Sequence, residues 1–89
     1  LSEAPIIPNS VTNLYRTFSG CNLTTAPVIP ENVTDMRSTF YGCKRLSGIL
    51  EVNANPIEYD SCLLYTKVTT ITGATNMGEA LLETKTIEQ

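Results

Sequence analysis

The chain has 89 residues, a formal net charge of −3 and no histidine. That length is one small domain or part of a larger one. With 42% hydrophobic and 17% charged residues, it is too apolar for charge-driven disorder. The basic residues Arg16, Arg37, Lys44, Arg45, Lys67 and Lys85 are scattered. No basic stripe marks a nucleic-acid footprint. No apolar run approaches the roughly 20 residues of a membrane helix, so membrane insertion is not expected.

The chain begins at Leu1 and lacks a basic, apolar, small-residue signal pattern. It reads as a piece of a longer chain. Its strongest feature is internal repetition. Residues 4–21 set above residues 26–43 match at ten of eighteen positions, a shift of 22. The identities include Ala4/Ala26, Pro5/Pro27, Ile7/Ile29, Val11/Val33, Phe18/Phe40 and the pair Gly20-Cys21/Gly42-Cys43. A third unit follows with a shift of 23, in which Ile29 maps to Val52, Met36 to Tyr59, Phe40 to Leu63 and Cys43 to Thr66. A partial fourth has Met77 and Leu81 in the Met36 and Phe40 roles. The whole is expected to be a single repeat domain, with units at about 4–25, 26–48, 49–67 and 68–89. Self-similarity at this period is the signature of a leucine-rich-type solenoid.

In chain order, each unit opens on a short apolar, β-rich stretch: Pro5-Ile6-Ile7, Pro27-Val28-Ile29, Leu50-Glu51-Val52, then 69–72. Period-two alternation places Leu50 and Val52 inward and Glu51 outward. By alignment Ile6 and Val28 also face out. Pro5, Pro8, Pro27 and Pro30 each remove a ladder donor, so the strands are expected to be three or four residues long. Val11, Leu14 and Phe18 then recur at i, i+3 and i+7, as do Val33, Met36 and Phe40, which predicts a short helical turn. Thr12 and Thr34 are its candidate N-caps, and Gly20 and Gly42 its left-handed ends. A terminal helix is expected over 79–88. Stacking the units buries Ile7, Ile29 and Val52 in one column and Phe18, Phe40 and Leu63 in another. The expected class is α/β, short parallel strands plus short helical turns, in about three to four rungs.

The phrases Ile7-Pro8-Asn9-Ser10-Val11-Thr12, Phe18-Ser19-Gly20-Cys21 and Phe40-Tyr41-Gly42-Cys43 resemble the BspA-like leucine-rich repeat family. The resemblance covers residues 4–46 well and 47–73 loosely. It implies a right-handed solenoid with a parallel sheet on one face. It also implies an extracellular, cell-surface or virion setting and a role in adhesion. The partner would be a host, bacterial or neighbouring-subunit protein, or a glycan. Fold alone does not fix function.

The chemistry-bearing residues favour plain readings. Cys21 and Cys43 occupy equivalent positions suited to a small buried side chain, close enough in a stack for a disulfide. Cys62 reads as lying outside the repeat register. A catalytic cysteine needs an activating base, and no histidine supplies one. The cysteines lack any C-x-x-C pair, so no metal site is expected. Glu51, Glu58 and Asp60 read as a solvated face rather than a glycosidase pair. The five glycines stand alone, which argues against a phosphate loop. Asn22-Leu23-Thr24 and Asn32-Val33-Thr34 match the glycosylation pattern but carry little weight among 13 threonines. Asn53 and Asn55 suit turn hydrogen bonds.

No catalytic, cofactor or metal residue is therefore expected. The candidate binding face is Ile6, Val28 and Glu51, because an exposed apolar column is an interaction patch. A structural role as spacer or decoration in a larger assembly, such as a phage tail or capsid, is the alternative. A homo-oligomer would favour it.

Overall fold

The structure is a computed structural model and describes residues 3–84. It contains two parallel strands, β1 (Ser47–Glu51) and β2 (Lys67–Thr72), and a 3-10 helix, η1 (Gly78–Glu83). The strands form an open two-stranded sheet. Ser47 pairs with Lys67 and Glu51 with Thr72, with an irregularity between Gly48 and Ile49.

This corrects the expected α/β right-handed leucine-rich-repeat solenoid of three to four rungs. The described residues contain no α-helix, and only two of the four expected strands form. Residues 5–7 make no strand, and 27–29 make only the isolated parallel bridge of Ile29 to Val52. Proline explains the difference. Pro5, Pro8, Pro27 and Pro30 carry no N–H, so they cannot supply the repeated donors of a ladder. Ser47–Glu51 and Lys67–Thr72 contain no proline and do pair. The expected terminal helix over 79–88 is a 3-10 helix from Gly78 to Glu83, and its last part lies outside the described residues.

The expected helical turns are replaced by runs of overlapping β-turns. In the first unit Thr17, Ser19 and Cys21 donate their amides to Leu14, Arg16 and Phe18, each three residues back. The intervening amides leave the unit. Leu14, Arg16, Phe18 and Gly20 donate to the carbonyls of Asp35, Arg37, Thr39 and Tyr41 at 2.7–3.1 Å. The second unit repeats the pattern. Met36, Ser38, Phe40 and Gly42 donate to Glu58, Asp60, Cys62 and Leu64 at 2.7–3.0 Å. An α-helix uses its interior N–H groups internally. Here alternate amides join one unit to the next.

That pattern requires left-handed residues at fixed places. Gly20 and Gly42 have φ of +74° and +77°, and Tyr65 takes the same place at +66°. Arg16, Ser38 and Ser61 form a second such series at +57°, +55° and +60°. A glycine adopts this conformation without the clash that a Cβ brings.

The core lies between the turn runs and the apolar stretches. Leu23, Ile29, Met36, Phe40, Leu46, Leu50, Val52 and Leu63 are fully buried. Ile7, at the outer end of its column, is only partly buried. Met77 and Ala80 pack on the same core, with Leu81 at its margin. Thr39 and Thr66 are also buried, with hydroxyls donating to the Met36 and Leu63 carbonyls respectively. Cys62 belongs to the register after all. Its carbonyl accepts from Phe40 as that of Thr39 accepts from Phe18. Cysteine and threonine thus exchange places between two columns, Thr17/Thr39/Cys62 and Cys21/Cys43/Thr66.

Candidate interaction face

The outward column begins at the prolines. Ile29 donates to the Glu51 carbonyl at 2.9 Å, and Asn53 donates back to Ile29 at 2.8 Å. These bonds turn Ile29 and Val52 into the core and leave Val28 and Glu51 on the opposite side. Val28 is 48% exposed and Ile6 96% exposed. Ile6 and Val28 line one open groove of about 510 Å³, together with Pro5, Ile7, Pro27 and Pro30. Glu31 and Asn53 supply its polar margin. Glu51 is exposed but does not line this groove, and its carboxylate accepts from the Asn53 amide at 3.3 Å.

Ile49 is a further exposed apolar residue, outside the groove and absent from the sequence-derived face. It is 61% exposed on β1, two residues before Glu51. The same alternation that turns Glu51 outward could have identified it, because i and i+2 share a strand face. Ile57 and Leu82 are also exposed but do not line the groove.

A second surface cluster centres on Arg37. Its guanidinium makes two bonds to Asp35, Nε to Oδ1 at 3.1 Å and Nη2 to Oδ2 at 2.8 Å. The Arg37 amide also donates to Asp35 Oδ1, at 3.0 Å. Glu58 approaches Arg37 Nε at 3.0 Å, and the Tyr15 ring lies 4.9 Å from the guanidinium carbon. Stacking produces this grouping, since Asn13, Asp35 and Glu58 are bridged in successive units. The Arg37 hydrogen bonds hold the Asp35 carboxyl below its ordinary range, and the Asp35 carboxylate holds Arg37 above its own. The guanidinium is thus paired with carboxylates of this chain through Nε and Nη2.

The other candidates have structural surroundings. Glu58 pairs with Arg37, while Glu51 is held by Asn53. Cys43 is buried and donates its thiol to the Phe18 carbonyl, and burial pushes that thiol up. Cys21 is half-buried. Thr34 does not cap a helix, since its hydroxyl donates to the Thr12 carbonyl at 3.2 Å. Asn32 reaches back to the Asn9 carbonyl at 2.9 Å. Asn55 accepts from the Thr75 amide and hydroxyl, joining two turns. Among the described residues, no three His, Cys, Asp or Glu side chains are grouped to hold a metal ion. No described helix is long and apolar enough to cross a membrane. No family model, curated protein or solved structure matches the chain.

Proposed function

We propose that this chain is a non-catalytic module that binds protein or glycan through the face bearing Ile6, Val28 and Glu51. Its setting in this proposal is a bacterial surface or a virion, which rests on the resemblance of the Ile-Pro-Asn-Ser-Val-Thr and Phe-Ser-Gly-Cys phrases. The observation that carries the reading is the exposure of Ile6 and Val28, 96% and 48%, in one groove. Contiguous exposed apolar surface with a polar margin is a common mark of interaction sites.

A glycan array and a panel of purified extracellular proteins, probed with wild-type chain and four variants, test this reading. Ile6→Asp and Val28→Asp, alone and combined, are expected to abolish the hits that wild type gives. Ile57→Asp, off the groove, is expected to retain them. Hits that survive both charges would count against the assignment.

One observation favours the structural alternative. The carbonyls of Asn13, Tyr15, Thr17 and Ser19 accept no hydrogen bond among the described residues. Their counterparts Asp35, Arg37, Thr39 and Tyr41 all accept from the unit before. The first unit thus ends in a row of acceptors, which a neighbour in an assembly or a further unit of chain would fill. Sedimentation over a concentration series separates the readings. A concentration-dependent oligomer supports the assembly role, and a monomer throughout opposes it.

A further inference from the structure

The geometry points to Cys21 and Cys43 as an inter-unit dithiol site that low-molecular-weight disulfides convert to a Cys21–Cys43 disulfide. The two residues hold equivalent places in adjacent units. Their backbones are tied just upstream, where Phe18 donates to Thr39 at 2.9 Å and Gly20 donates to Tyr41 at 2.7 Å. A Cβ built on Gly42 would lie 3.9 Å from the Gly20 backbone, which places the preceding residues in contact across the units. Neighbouring parallel backbones lie about 4.8 Å apart. A disulfide spans Cα separations of about 4.4–6.8 Å.

The sulfur of Cys43 already reaches into the turn of Cys21. It donates to the Phe18 carbonyl at 2.9 Å, the same oxygen that accepts the Cys21 amide at 3.1 Å. Rotation away from that shared acceptor is the motion that bonding requires. Access is unequal, since Cys21 is half-buried and Cys43 has no exposed surface. The column offers no third sulfur, because Thr66 occupies that place. Cys62 sits in the other column, fully buried.

The chemistry follows from this asymmetry. The Cys21 thiolate attacks one sulfur of the small disulfide and expels one thiolate, leaving a mixed disulfide on Cys21. Cys43 then loses its proton to a departing thiolate and attacks the Cys21 sulfur. The remaining half of the small molecule leaves as a thiolate and takes up the proton that Cys21 first gave to solvent. Two protein thiols are oxidised, one external disulfide is reduced, and no further reagent is needed.

The test incubates the folded chain with oxidised glutathione, blocks remaining thiols by alkylation, and digests with trypsin. Cleavage after Arg16, Arg37 and Lys44 separates peptides 17–37 and 38–44, each with one of these cysteines. The expected dominant product joins these two peptides and separates on reduction, with Cys62 recovered alkylated. In Cys43→Ser, Cys21 is expected to retain glutathione. Stable glutathione on wild-type Cys21 with Cys43 reduced would overturn the proposal. So would a dominant link to Cys62, or no oxidation of the folded chain. Repeating the reaction in denaturant is expected to lose the preference for this pair, and an unchanged preference there would show that the fold does not supply it.

Discussion

Phe18 and Phe40, identical positions in successive units, lie with ring centroids 5.6 Å apart and planes 8° from parallel. The third member of the column is Leu63, also buried. Phe40 is the middle member and has no exposed surface. Phe40→Ala is expected to cost about 3–5 kcal/mol, the range for deleting a buried phenyl ring. That is comparable to the whole stability of a small domain. Phe40→Leu, which copies the third unit, is expected to cost less than Phe40→Ala. Denaturant midpoints at constant slope check both values.

Gly73 and Gly42 predict two different costs for the same change. Both have positive φ, +92° and +77°. A Cβ on Gly42 has ordinary room, so Gly42→Ala carries only the conformational cost of about 1–2 kcal/mol. A Cβ on Gly73 would collide with the backbone carbonyl oxygen of Val52, the residue that follows β1. Gly73→Ala is therefore expected to destabilise more than Gly42→Ala. Thermal unfolding of the two variants gives the order, and equal midpoints would contradict it.

Thr39 supplies a hydrogen bond from the core. Its buried hydroxyl lies 2.9 Å from the Leu14 carbonyl and 2.7 Å from that of Met36. Both carbonyls also receive a backbone amide. Thr39→Val therefore leaves neither without a donor, and the expected cost is about 1 kcal/mol. Thr39→Cys, which copies the third unit, is expected to cost no more. Chemical denaturation measures the pair.

The Asp35–Arg37 contact predicts an acid-side dependence of stability. Arg37 lowers the folded-state value of the Asp35 carboxyl below its unfolded value of about 3.9. A depressed carboxyl contributes stability above the unfolded value and loses it as pH falls through the folded value. The gap in stability between wild type and Asp35→Asn is expected to narrow over that acid window. Because Arg37 is partly exposed, the gap is also expected to shrink with salt. Carbon-detected titration of the Asp35 carboxyl gives its folded value directly.

The spacing of the units and the identity of their inward residues were legible because stacking repeats its side chains. Ile29 and Val52, or Phe18 and Phe40, meet the same neighbours, and so the same residue types recur. The backbone between them was not legible. Leu14 and Phe18 are four apart, a spacing that fits one face of a helix and also fits two steps of an alternating turn run. Only φ separates these forms. Gly20 and Gly42 show it, but Arg16, Ser38 and Ser61 adopt the same left-handed region without being glycine. The composition held one warning, since Thr, Ser, Phe and Gly in 12–20 are poor helix formers. On the candidate face, Ile6 and Val28 were readable from alternation with the core. Their shared groove was not, because it depends on where Pro5, Pro27 and Pro30, which also line it, fall in space.

Alternate amides of the turn runs join successive units. Through-hydrogen-bond scalar couplings in a labelled sample test this most directly. Couplings are expected from the Leu14 amide nitrogen to the Asp35 carbonyl carbon, from Phe18 to Thr39, and from Met36 to Glu58. Couplings from Phe18 to Leu14 and from Phe40 to Met36, four residues back as in an α-helix, would contradict it.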